Sequence, residues 1–224
     1  MALKDISIKR PKGLKQAKTF EQLGILVLDG SGSMEEQTAQ HISKADAVTI
    51  AVNELFARFK ISSISNNFSF AIINYDHRSK IILEPTPVNS IDDHGDWNPM
   101  KDLGGATYIS EGLKDAKKIA EKFLSQSNEK GLARSVIVLI MTDGVDMTQP
   151  ETISIANQLK QTEGIKVAGC FFETLGADAA DMEKCIKYVE GLCTVDQNGP
   201  MFEKIANDEQ LRLFFIKSMS NMVL

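Results

Sequence analysis

The sequence predicts an α/β fold: a doubly wound, mostly parallel central sheet with one antiparallel edge strand and helices on both faces. Three observations indicate this. Continuous apolar runs of strand length recur along the chain, as expected for strands that are buried on both faces. Longer segments with helical spacing of their apolar residues alternate with these runs. Two of the runs are separated only by the short polar segment Asp76–Ser79, which permits antiparallel pairing alone.

The first half of the chain is predicted to contain one buried strand, one long helix and the antiparallel pair. The strand is continuous in apolar residues, whereas the helix repeats them every three or four positions. An irregular stretch follows, with clustered prolines, acidic residues and the only tryptophan. In order, the segments are the strand Leu23–Leu28, the helix Thr38–Lys60, the strands Phe68–Tyr75 and Lys80–Leu83, and the irregular stretch Glu84–Gly105.

The second half continues the alternation of helices and strands. In order, we expect the helix Thr107–Ser125, the strand Ser135–Met141, the helix Glu151–Glu163, the strand Lys166–Phe172, the helix Ala179–Glu190, a weak strand Leu192–Val195 and a closing helix Asp208–Met222. No internal repeat, low-complexity segment or linker interrupts the pattern after residue 20. A single domain over residues 21–224 therefore fits best.

Size and composition are those of an ordinary globular protein. The chain has 224 residues, of which 43% are hydrophobic and 25% charged, with a net charge of -5. A chain of this length can bury a sizeable core without disulfides or zinc. The apolar content argues against a wholly disordered chain, and the acidic balance argues against a dedicated nucleic-acid binder.

Charge is distributed unevenly, because residues 1–20 form a basic arm. Within residues 1–18, six basic side chains stand against Asp5 alone, a net charge of +5, so the other residues sum to -10. Two interpretations of the arm remain open. It is either a solvated segment that lies against the acidic body, or a docking segment for an acidic partner.

No apolar run approaches the length of a membrane span, and the first residues lack an apolar stretch of signal-peptide length. The odd cysteine count, without a CxxC spacing, indicates reduced thiols. The three histidines stand far apart in the sequence and do not suggest a metal site. We therefore expect a cytoplasmic protein. The cysteines are Cys170, Cys185 and Cys193, and the histidines are His41, His77 and His94.

Oxygen-bearing side chains gather in three loops of the predicted fold. Asp29–Ser33 (DGSGS) follows the first buried strand, Thr142–Gly144 (TDG) follows another, and Leu103–Thr107 (LGGAT) precedes a helix. In an open parallel sheet, ligands bind beyond the carboxyl ends of the strands. Hydroxyls and carboxylates are hard donors that suit Mg²⁺ or Mn²⁺ and do not suit zinc. Any one of these residues alone is more often a helix cap, but the three loops together predict a metal site.

These three motifs resemble the metal-ion-dependent adhesion site of the von Willebrand factor type A family, and the similarity extends over about residues 22–222. In that family the two serines and the threonine bind the cation directly, and the two aspartates bind it directly or through water. The resemblance implies a Rossmann-like three-layer fold. It also implies a metal site with one open coordination position, whose ligands are Ser31, Ser33, Thr107, Asp29 and Asp143.

Within the family, the chain looks similar to stand-alone intracellular bacterial proteins of the tellurium-resistance type. The similar segments are Phe70–Val88, Leu139–Gly144 (LIMTDG) and Leu211–Val223. This resemblance implies a role in a bacterial stress-response assembly, with a kinase or a phosphatase among its companions. The basic arm and the acidic insert near Asp92 depart from that type and leave the partner open.

The predicted function is a protein-binding module, not an enzyme, whose cation accepts an Asp or Glu carboxylate of a partner. A metal-dependent phosphotransferase needs a second aspartate two residues after the first, but that position is Ser31. A dinucleotide site would need a third glycine after Gly30 and Gly32. An EF-hand would need a central glycine and a closing glutamate. An adaptor for an AAA+ ATPase of the MoxR type is the alternative function, and a metal-dependent phosphotransferase is the less favoured one.

Several residues near the three loops have two open interpretations. Glu35 and Glu36 are either acids of a helix N-terminus or tuners of the metal site. Trp97 either forms an exposed interface anchor or packs into its own loop. Asp146 either supports the metal ligands or caps the following helix. Tyr108, beside Thr107, is a further candidate for the rim of the site.

Overall fold

The computed structural model describes residue 18 and residues 20–127, 131–173 and 178–220. The predicted α/β class is confirmed. The strands are β1 Phe20–Asp29, β2 Phe68–Tyr75, β3 Ser79–Pro87, β4 Ala133–Thr142, β5 Ile165–Phe172, β6 Val195–Asp196, β7 Gly199–Pro200 and β8 Phe202–Ile205. The helices are α1 Lys44–Lys60, α2 Ile109–Ser125, α3 Gln149–Gln161, α4 Ala179–Leu192 and α5 Asp208–Ser220.

The central sheet has six strands in the order β3-β2-β1-β4-β5-β8. Strand β1 lies between β2 and β4 and pairs in parallel with both. Strand β3 is antiparallel to β2 and forms one edge, as the short segment Asp76–Ser79 predicts. The small strands β6 and β7 form a separate hairpin. Because the five neighbouring strands β2, β1, β4, β5 and β8 point the same way, their carboxyl ends share one edge of the sheet.

Side chains of the central strand enter the two core layers in alternation. Leu26 and Leu28 pack in the layer that contains α1 and α5. Ile25 and Val27 pack in the layer that contains α2 and α3. Successive side chains of a strand point to opposite faces, so a strand covered by helices on both faces must be apolar at every position. This explains the continuous run that predicted β1.

Two glycines let helices approach the sheet closely. A Cβ on Gly24 would lie 2.7 Å from a ring carbon of Phe70 and 2.8 Å from Sδ of Met219 on α5. A Cβ on Gly112 of α2 would lie 2.6 Å from a methyl carbon of Val27. Larger residues at either position would push a helix away from β1. The spacing of both layers therefore depends on these glycines.

The structure corrects the prediction at the far edge of the sheet. The weak strand predicted at Leu192–Val195 is wrong: Leu192 ends α4, and the edge strand is β8, Phe202–Ile205. The predicted long helix begins at Lys44 rather than Thr38, with the side chain of Ser43 accepting the N–H of Asp46 as its cap. Strand β3 extends to Pro87, into the stretch predicted to be irregular.

The predicted arm over residues 1–20 is described only at its end. Strand β1 begins at Phe20, and Lys18 forms an ion pair of 3.2 Å with Glu21. Residues 1–17 and 19 lie outside the described residues, so the arm stays a prediction. Within the described ranges, no helix combines the length and the apolar character that crossing a bilayer requires.

Candidate metal centre

The three predicted loops meet at the carboxyl edge of the sheet. Asp29 is the last residue of β1, and Asp143 directly follows β4, its parallel neighbour. Thr107 lies just before α2, and its carbonyl accepts the N–H of Met147 at 2.9 Å. Residues from distant parts of the sequence are thereby brought side by side, because adjacent parallel strands end at the same edge.

A chain of short contacts links the two serines to Asp143. The hydroxyl oxygens of Ser31 and Ser33 are 3.2 Å apart. The Ser33 hydroxyl donates to Oδ1 of Asp143 at 2.6 Å. Neighbouring oxygens around an octahedral Mg²⁺ ion are separated by about 3 Å, given Mg–O distances of about 2.1 Å. The spacing of these three oxygens is therefore compatible with adjacent positions around one cation.

Asp29 is completely buried and held on both carboxylate oxygens. Oδ2 accepts the Thr142 hydroxyl at 2.6 Å, and Oδ1 accepts the N–H of Ser31 at 2.8 Å. Loss of hydration, together with the nearby charge of Asp143, raises the pKa of Asp29 to about 7. Burial makes the ionised form of Asp29 costly in free energy. A cation that binds beside this carboxylate would therefore stabilise it.

Thr107 faces the same space through Gly144. A Cβ on Gly144 would lie 2.9 Å from Oγ1 of Thr107 and 3.7 Å from Oγ of Ser33. Both hydroxyls therefore border the volume that a side chain at position 144 would fill. Glycine in the TDG motif keeps this volume open.

Main-chain hydrogen bonds join the loops to one another and to the sheet. The N–H of Gly30 donates to the carbonyl of Tyr75 at 2.7 Å, at the end of β2. The N–H of Gly32 donates to the carbonyl of Gly105 at 3.1 Å. With the bond from Met147 to Thr107, each metal-site loop contacts another through its backbone. The loops thus hold their shape together rather than singly.

Asp76 positions the LGGAT loop, a role that the sequence analysis missed. Its Oδ2 accepts the N–H groups of Gly104 at 3.2 Å and Gly105 at 3.0 Å. Its Oδ1 accepts the N–H of Arg78 at 3.0 Å. The side chain is buried, and Nδ1 of His77 lies 3.2 Å from its Oδ2. An aspartate in a short polar segment predicts only a turn, so the sequence held no signal for this longer-range role.

Lys44, the first residue of α1, was also missed. It is only 1% exposed, and its ammonium donates to Oδ2 of Asp143 at 2.6 Å and to Oε2 of Glu36 at 2.8 Å. A lysine in a helical segment is ordinarily read as a solvent-facing residue. Its position directly after a helix cap, Ser43, brings it to the edge where the metal-site loops meet.

Asp146 accepts hydrogen bonds at the start of α2, a helix that neither open interpretation named, and from Thr148, the residue directly before α3. Its Oδ1 accepts the N–H of Ile109, in the first turn of α2, at 3.1 Å, and the N–H of Thr148 at 3.0 Å. Its Oδ2 accepts the hydroxyl of Tyr188 on α4 at 2.5 Å. Burial and this hydrogen bond raise the pKa of Tyr188. Asp146 therefore ties the loop after Asp143 to two helices.

Trp97 packs against side chains of α1 and does not form an exposed anchor. Its Nε1 donates to Oδ1 of Asn53 at 2.9 Å, and its ring meets Phe56 edge-on, with centroids 5.6 Å apart. Glu36 contacts Lys44, as described above, whereas Glu35 is exposed in the 3₁₀ turn Gly32–Glu35. The alternatives for Trp97 are thereby decided, whereas those for Glu35 and Glu36 stay open.

The rim of the centre carries two exposed apolar side chains. Val145 is 54% exposed and Met147 is 64% exposed, and both follow Asp143 in the same loop. Most large apolar side chains of the described residues are buried, so two at this one rim are a local feature. They lie two and four positions after Asp143, and the backbone N–H of Met147 donates to the carbonyl of Thr107 at 2.9 Å. The surroundings of the centre are thus part polar and part apolar.

The donor set fits a hard divalent cation and no softer metal. The described residues contain no cluster of three or more His, Cys, Asp or Glu side chains suited to a metal. The oxygens that do converge are two carboxylates and hydroxyls, and soft metals prefer imidazole or thiolate ligands. The hydroxyl of Ser33 contacts both Ser31 and Asp143, the carboxylate of Asp29 accepts the N–H of Ser31, and Thr107 lies across Gly144. Their role as ligands stays a prediction.

A family model described as the von Willebrand factor type A domain matches residues 25–145, more than half of the chain. The chain belongs to this family. The matched range contains the whole of the candidate centre, from β1 to the loop after Asp143. Domains of the von Willebrand factor type A family typically mediate protein–protein interaction, so the chain is, at this coarse level, a protein-interaction module.

Solved structures with a similar fold include other von Willebrand factor type A domains. The pilus adhesin SpaC of Lactobacillus rhamnosus GG superposes with a TM-score of 0.73 at 15% identity, covering 92% of this chain and 31% of that one. A von Willebrand factor type A protein of Catenulispora acidiphila gives a TM-score of 0.62 at 14% identity, covering 89% and 43%. BatB of Bacteroides thetaiotaomicron gives a TM-score of 0.54 at 18% identity, covering 89% and 98%.

These likenesses establish the fold and no more, because identity is low. The chain spans about a third of the length of the pilus adhesin and less than half of the Catenulispora protein. Comparison with curated protein sequences gives no significant match. The predicted similarity to the tellurium-resistance type therefore stays a prediction.

Proposed function

We propose that this chain is a metal-ion-dependent protein-binding module with no enzymatic activity. The ligands of Mg²⁺ or Mn²⁺ would be Asp29, Ser31, Ser33, Thr107 and Asp143. The observation that carries the proposal is the contact of 2.6 Å between the hydroxyl of Ser33 and Asp143, two residues separated by 110 positions in the sequence. It brings the DGSGS and TDG motifs together, so that oxygens of both can occupy neighbouring positions around one Mg²⁺ ion.

The donor set explains why a partner carboxylate would complete the centre. The cation, when bound, supplies an electron-poor position that attracts an anionic oxygen. The three hydroxyl donors are neutral, and of the two carboxylates, Asp143 already contacts the ammonium of Lys44. The chain therefore offers little negative charge of its own at this point. An Asp or Glu side chain of another protein is the ligand that we propose.

The rim supports a protein as the ligand rather than a small anion. Val145 and Met147 present apolar surface beside the charged centre. Protein interfaces commonly combine buried apolar contacts with a few oriented polar ones. A partner whose acidic residue is flanked by apolar side chains would contact both parts of this surface. A free phosphate or carboxylate ion would contact only the centre.

The environment of Asp29 supports a binding role over phosphotransfer. A nucleophilic aspartate must reach the substrate phosphorus with a free oxygen. Both oxygens of Asp29 accept hydrogen bonds, from Thr142 and Ser31, and the side chain is completely buried. The residue two positions on, Ser31, cannot replace the acidic group that the reaction needs near neutral pH.

The finer assignment rests on the sequence resemblance. We propose a bacterial stress-response assembly, similar to that of the tellurium-resistance type, in which a kinase or phosphatase is a companion. An adaptor role for a MoxR-type AAA+ ATPase is the alternative. The genes adjacent to the coding sequence separate the two cheaply: tellurium-resistance-like neighbours support the first role, and a MoxR-type ATPase gene supports the second.

Affinity capture from native lysate tests the binding function. The protein is immobilised, and bound proteins are compared by mass spectrometry in Mg²⁺, in EDTA, and with the Ser33→Ala variant in Mg²⁺. We expect a partner that is retained only by the wild type in Mg²⁺. Equal recovery in all three conditions would show that the metal is a bystander to binding. The Ser90→Ala variant, exposed in the 3₁₀ turn Val88–Ser90 that follows β3, is the matched control and should behave as the wild type.

A further inference from the structure

A buried lysine beside a metal centre calls for an explanation. Lys44 is 1% exposed, and its Nζ lies 2.6 Å from Oδ2 of Asp143 and 2.8 Å from Oε2 of Glu36. Burying an ammonium group is costly unless it is paired, so these contacts stabilise Lys44 where it is. A divalent cation bound beside Asp143 would be a second positive charge on the same carboxylate. The two charges therefore act against each other.

The two oxygens of Asp143 are divided between different partners. Oδ1 accepts the hydroxyl of Ser33, on the side of the DGSGS loop, and Oδ2 accepts the ammonium of Lys44. The oxygen on the predicted metal side is thus distinct from the one that Lys44 holds. Lys44 can remain bonded to Asp143 whether or not a cation is present. Its charge then influences the cation without displacing any ligand.

Two buried carboxylates stand next to each other in this region. Asp29 is completely buried, and Asp143 is 4% exposed. Asp29 ends β1 and Asp143 directly follows the adjacent parallel strand β4, so like charges on the two carboxylates repel each other in this poorly hydrated region. Without a positive charge nearby, a folded state with both ionised would be strained. Lys44 supplies such a charge permanently, through the chain itself.

We propose that Lys44 is a built-in counter-cation of the centre, which keeps the metal-free fold stable and lowers the affinity of the site for a divalent cation. This inference rests on the proposed function, since it concerns the same centre. Like charges close together in a poorly hydrated region repel more strongly than in water. The protein therefore binds its metal more weakly than the five ligands alone would. In return, its fold depends less on the metal.

The Lys44→Met variant tests the proposal, because methionine is unbranched, apolar and of similar length. We expect its melting temperature in EDTA to lie below that of the wild type, since Asp143 loses its counter-charge. Addition of Mg²⁺ should raise the melting temperature of the variant by more than it raises that of the wild type. The Kd for Mg²⁺, measured by calorimetry, should fall about tenfold. Unchanged or weaker Mg²⁺ binding by a folded variant would overturn the proposal.

Two further variants separate charge from packing. Lys44→Arg retains the positive charge and should bind Mg²⁺ with an affinity close to that of the wild type. Lys60→Met removes a lysine of the same helix that pairs with Asp93 at 2.6 Å, away from the centre, and should leave Mg²⁺ affinity unchanged. Tighter Mg²⁺ binding by Lys60→Met, equal to that of Lys44→Met, would mean that net charge alone is responsible and would overturn the specific role.

A double variant keeps the proposal testable if Lys44→Met does not fold. Replacing Lys44 by Met and Asp143 by Asn together removes both charges of the pair, and this protein should fold in EDTA. If it also fails to fold, Lys44 is needed for packing, and the counter-cation role is wrong. Failure of the proposed function looks different: the wild type itself would then bind neither Mg²⁺ nor Mn²⁺, while the stability difference between the single and double variants would remain.

Discussion

The edge of the sheet formed by the carboxyl ends of the parallel strands and the edge formed by their amino ends contain different kinds of residue. At the carboxyl edge, the buried residues include four aspartates and a lysine: Asp29, Asp76, Asp143, Asp146 and Lys44. At the amino edge, the ion pair between Glu21 and Arg134 is part-exposed, and the rings of Phe20, Phe59 and Phe68 pack edge to face. Charge is buried at one edge and left near water at the other.

This difference separates residues that serve the site from residues that serve stability. Burying ionised groups costs free energy, and well-packed apolar residues of similar size often stabilise a fold as well or better. The aromatic packing at the amino edge follows the rule for stability. The buried carboxylates at the carboxyl edge break it, and each of them belongs to the loops of the candidate metal centre or accepts hydrogen bonds from them. Substitutions at the carboxyl edge should therefore alter Mg²⁺ affinity, whereas substitutions at the amino edge should alter only stability.

The largest effect is expected from Asp29→Ala. The substitution removes a carboxylate at the centre, so Mg²⁺ affinity should fall at least a hundredfold in calorimetry. The fold should persist, because the loss of two hydrogen bonds is offset by removal of a buried, desolvated charge. Circular dichroism checks the fold, and Asp93→Ala, a partly exposed acidic position that pairs with Lys60 away from the centre, is the control. An unfolded Asp29→Ala protein would mean that the centre is structural and would weaken the binding proposal.

A smaller, mixed effect is expected from Asp76→Ala. The N–H groups of Gly104 and Gly105, whose hydrogen bonds are partly buried, lose their charged acceptor, which should lower the free energy of unfolding by about 3 kcal/mol. Mg²⁺ affinity should fall roughly tenfold by the same reasoning, because the loop that carries Thr107 loosens. Urea unfolding and calorimetry measure the two. Asp76→Asn retains one acceptor oxygen, so its stability and Mg²⁺ affinity should lie between those of Asp76→Ala and the wild type. A loss of stability with unaltered Mg²⁺ affinity would show that other contacts hold the loop.

Gly144→Ala tests the open volume between the hydroxyls without changing charge. Its new Cβ would approach Oγ1 of Thr107 to 2.9 Å, so the hydroxyl must shift by a few tenths of an ångström. We expect Mg²⁺ affinity to fall about fivefold, with about 1 kcal/mol lost in stability. Gly191→Ala is the matched control, since a Cβ there meets nothing within 4 Å, and helix propensity should make it slightly stabilising. Equal Mg²⁺ binding by Gly144→Ala and the wild type would exclude this packing argument.

Arg134→Ala examines the amino edge and should give the smallest effect on the metal. It removes an ion pair of 2.9 Å with Glu21 and a contact of the guanidinium with the ring of Phe123, worth together about 1 kcal/mol. Thermal unfolding should show this small loss, while Mg²⁺ affinity should equal that of the wild type. An altered Mg²⁺ affinity would reveal coupling between the two edges. It would then be wrong that residues of the amino edge contribute to stability alone.

The sequence predicted the architecture well where apolar patterns are unambiguous. The segments that form β1 and β4 contain continuous apolar runs. Runs of this length are typical of strands that are buried on both faces. The motifs that follow them fall at the carboxyl edge because parallel strands must end together. Edge strand β8 escaped prediction because it has only four residues, two of them charged, and so resembles a loop in the sequence.

The supporting residues of the centre could not be predicted in the same way. Lys44 and Asp76 have no motif of their own, and their roles depend on contacts with residues 99 and about 28 positions away. Local patterns carry no information on such contacts. The side chain of Trp97 was ambiguous for a related reason, since only the position of Asn53 on α1 decides whether its ring is enclosed.

The backbone hydrogen bonds between the loops decide when the loops become ordered: during folding, and not during binding of a partner. Because Gly32 and Met147 donate to carbonyls of the LGGAT loop, the conformational entropy of all three loops is lost when the chain folds. A partner then meets a preorganised surface and bears little of that cost itself. In deuterated water, the amides of Gly30, Gly32 and Met147 should therefore exchange at similar, slow rates, as members of one cooperative unit.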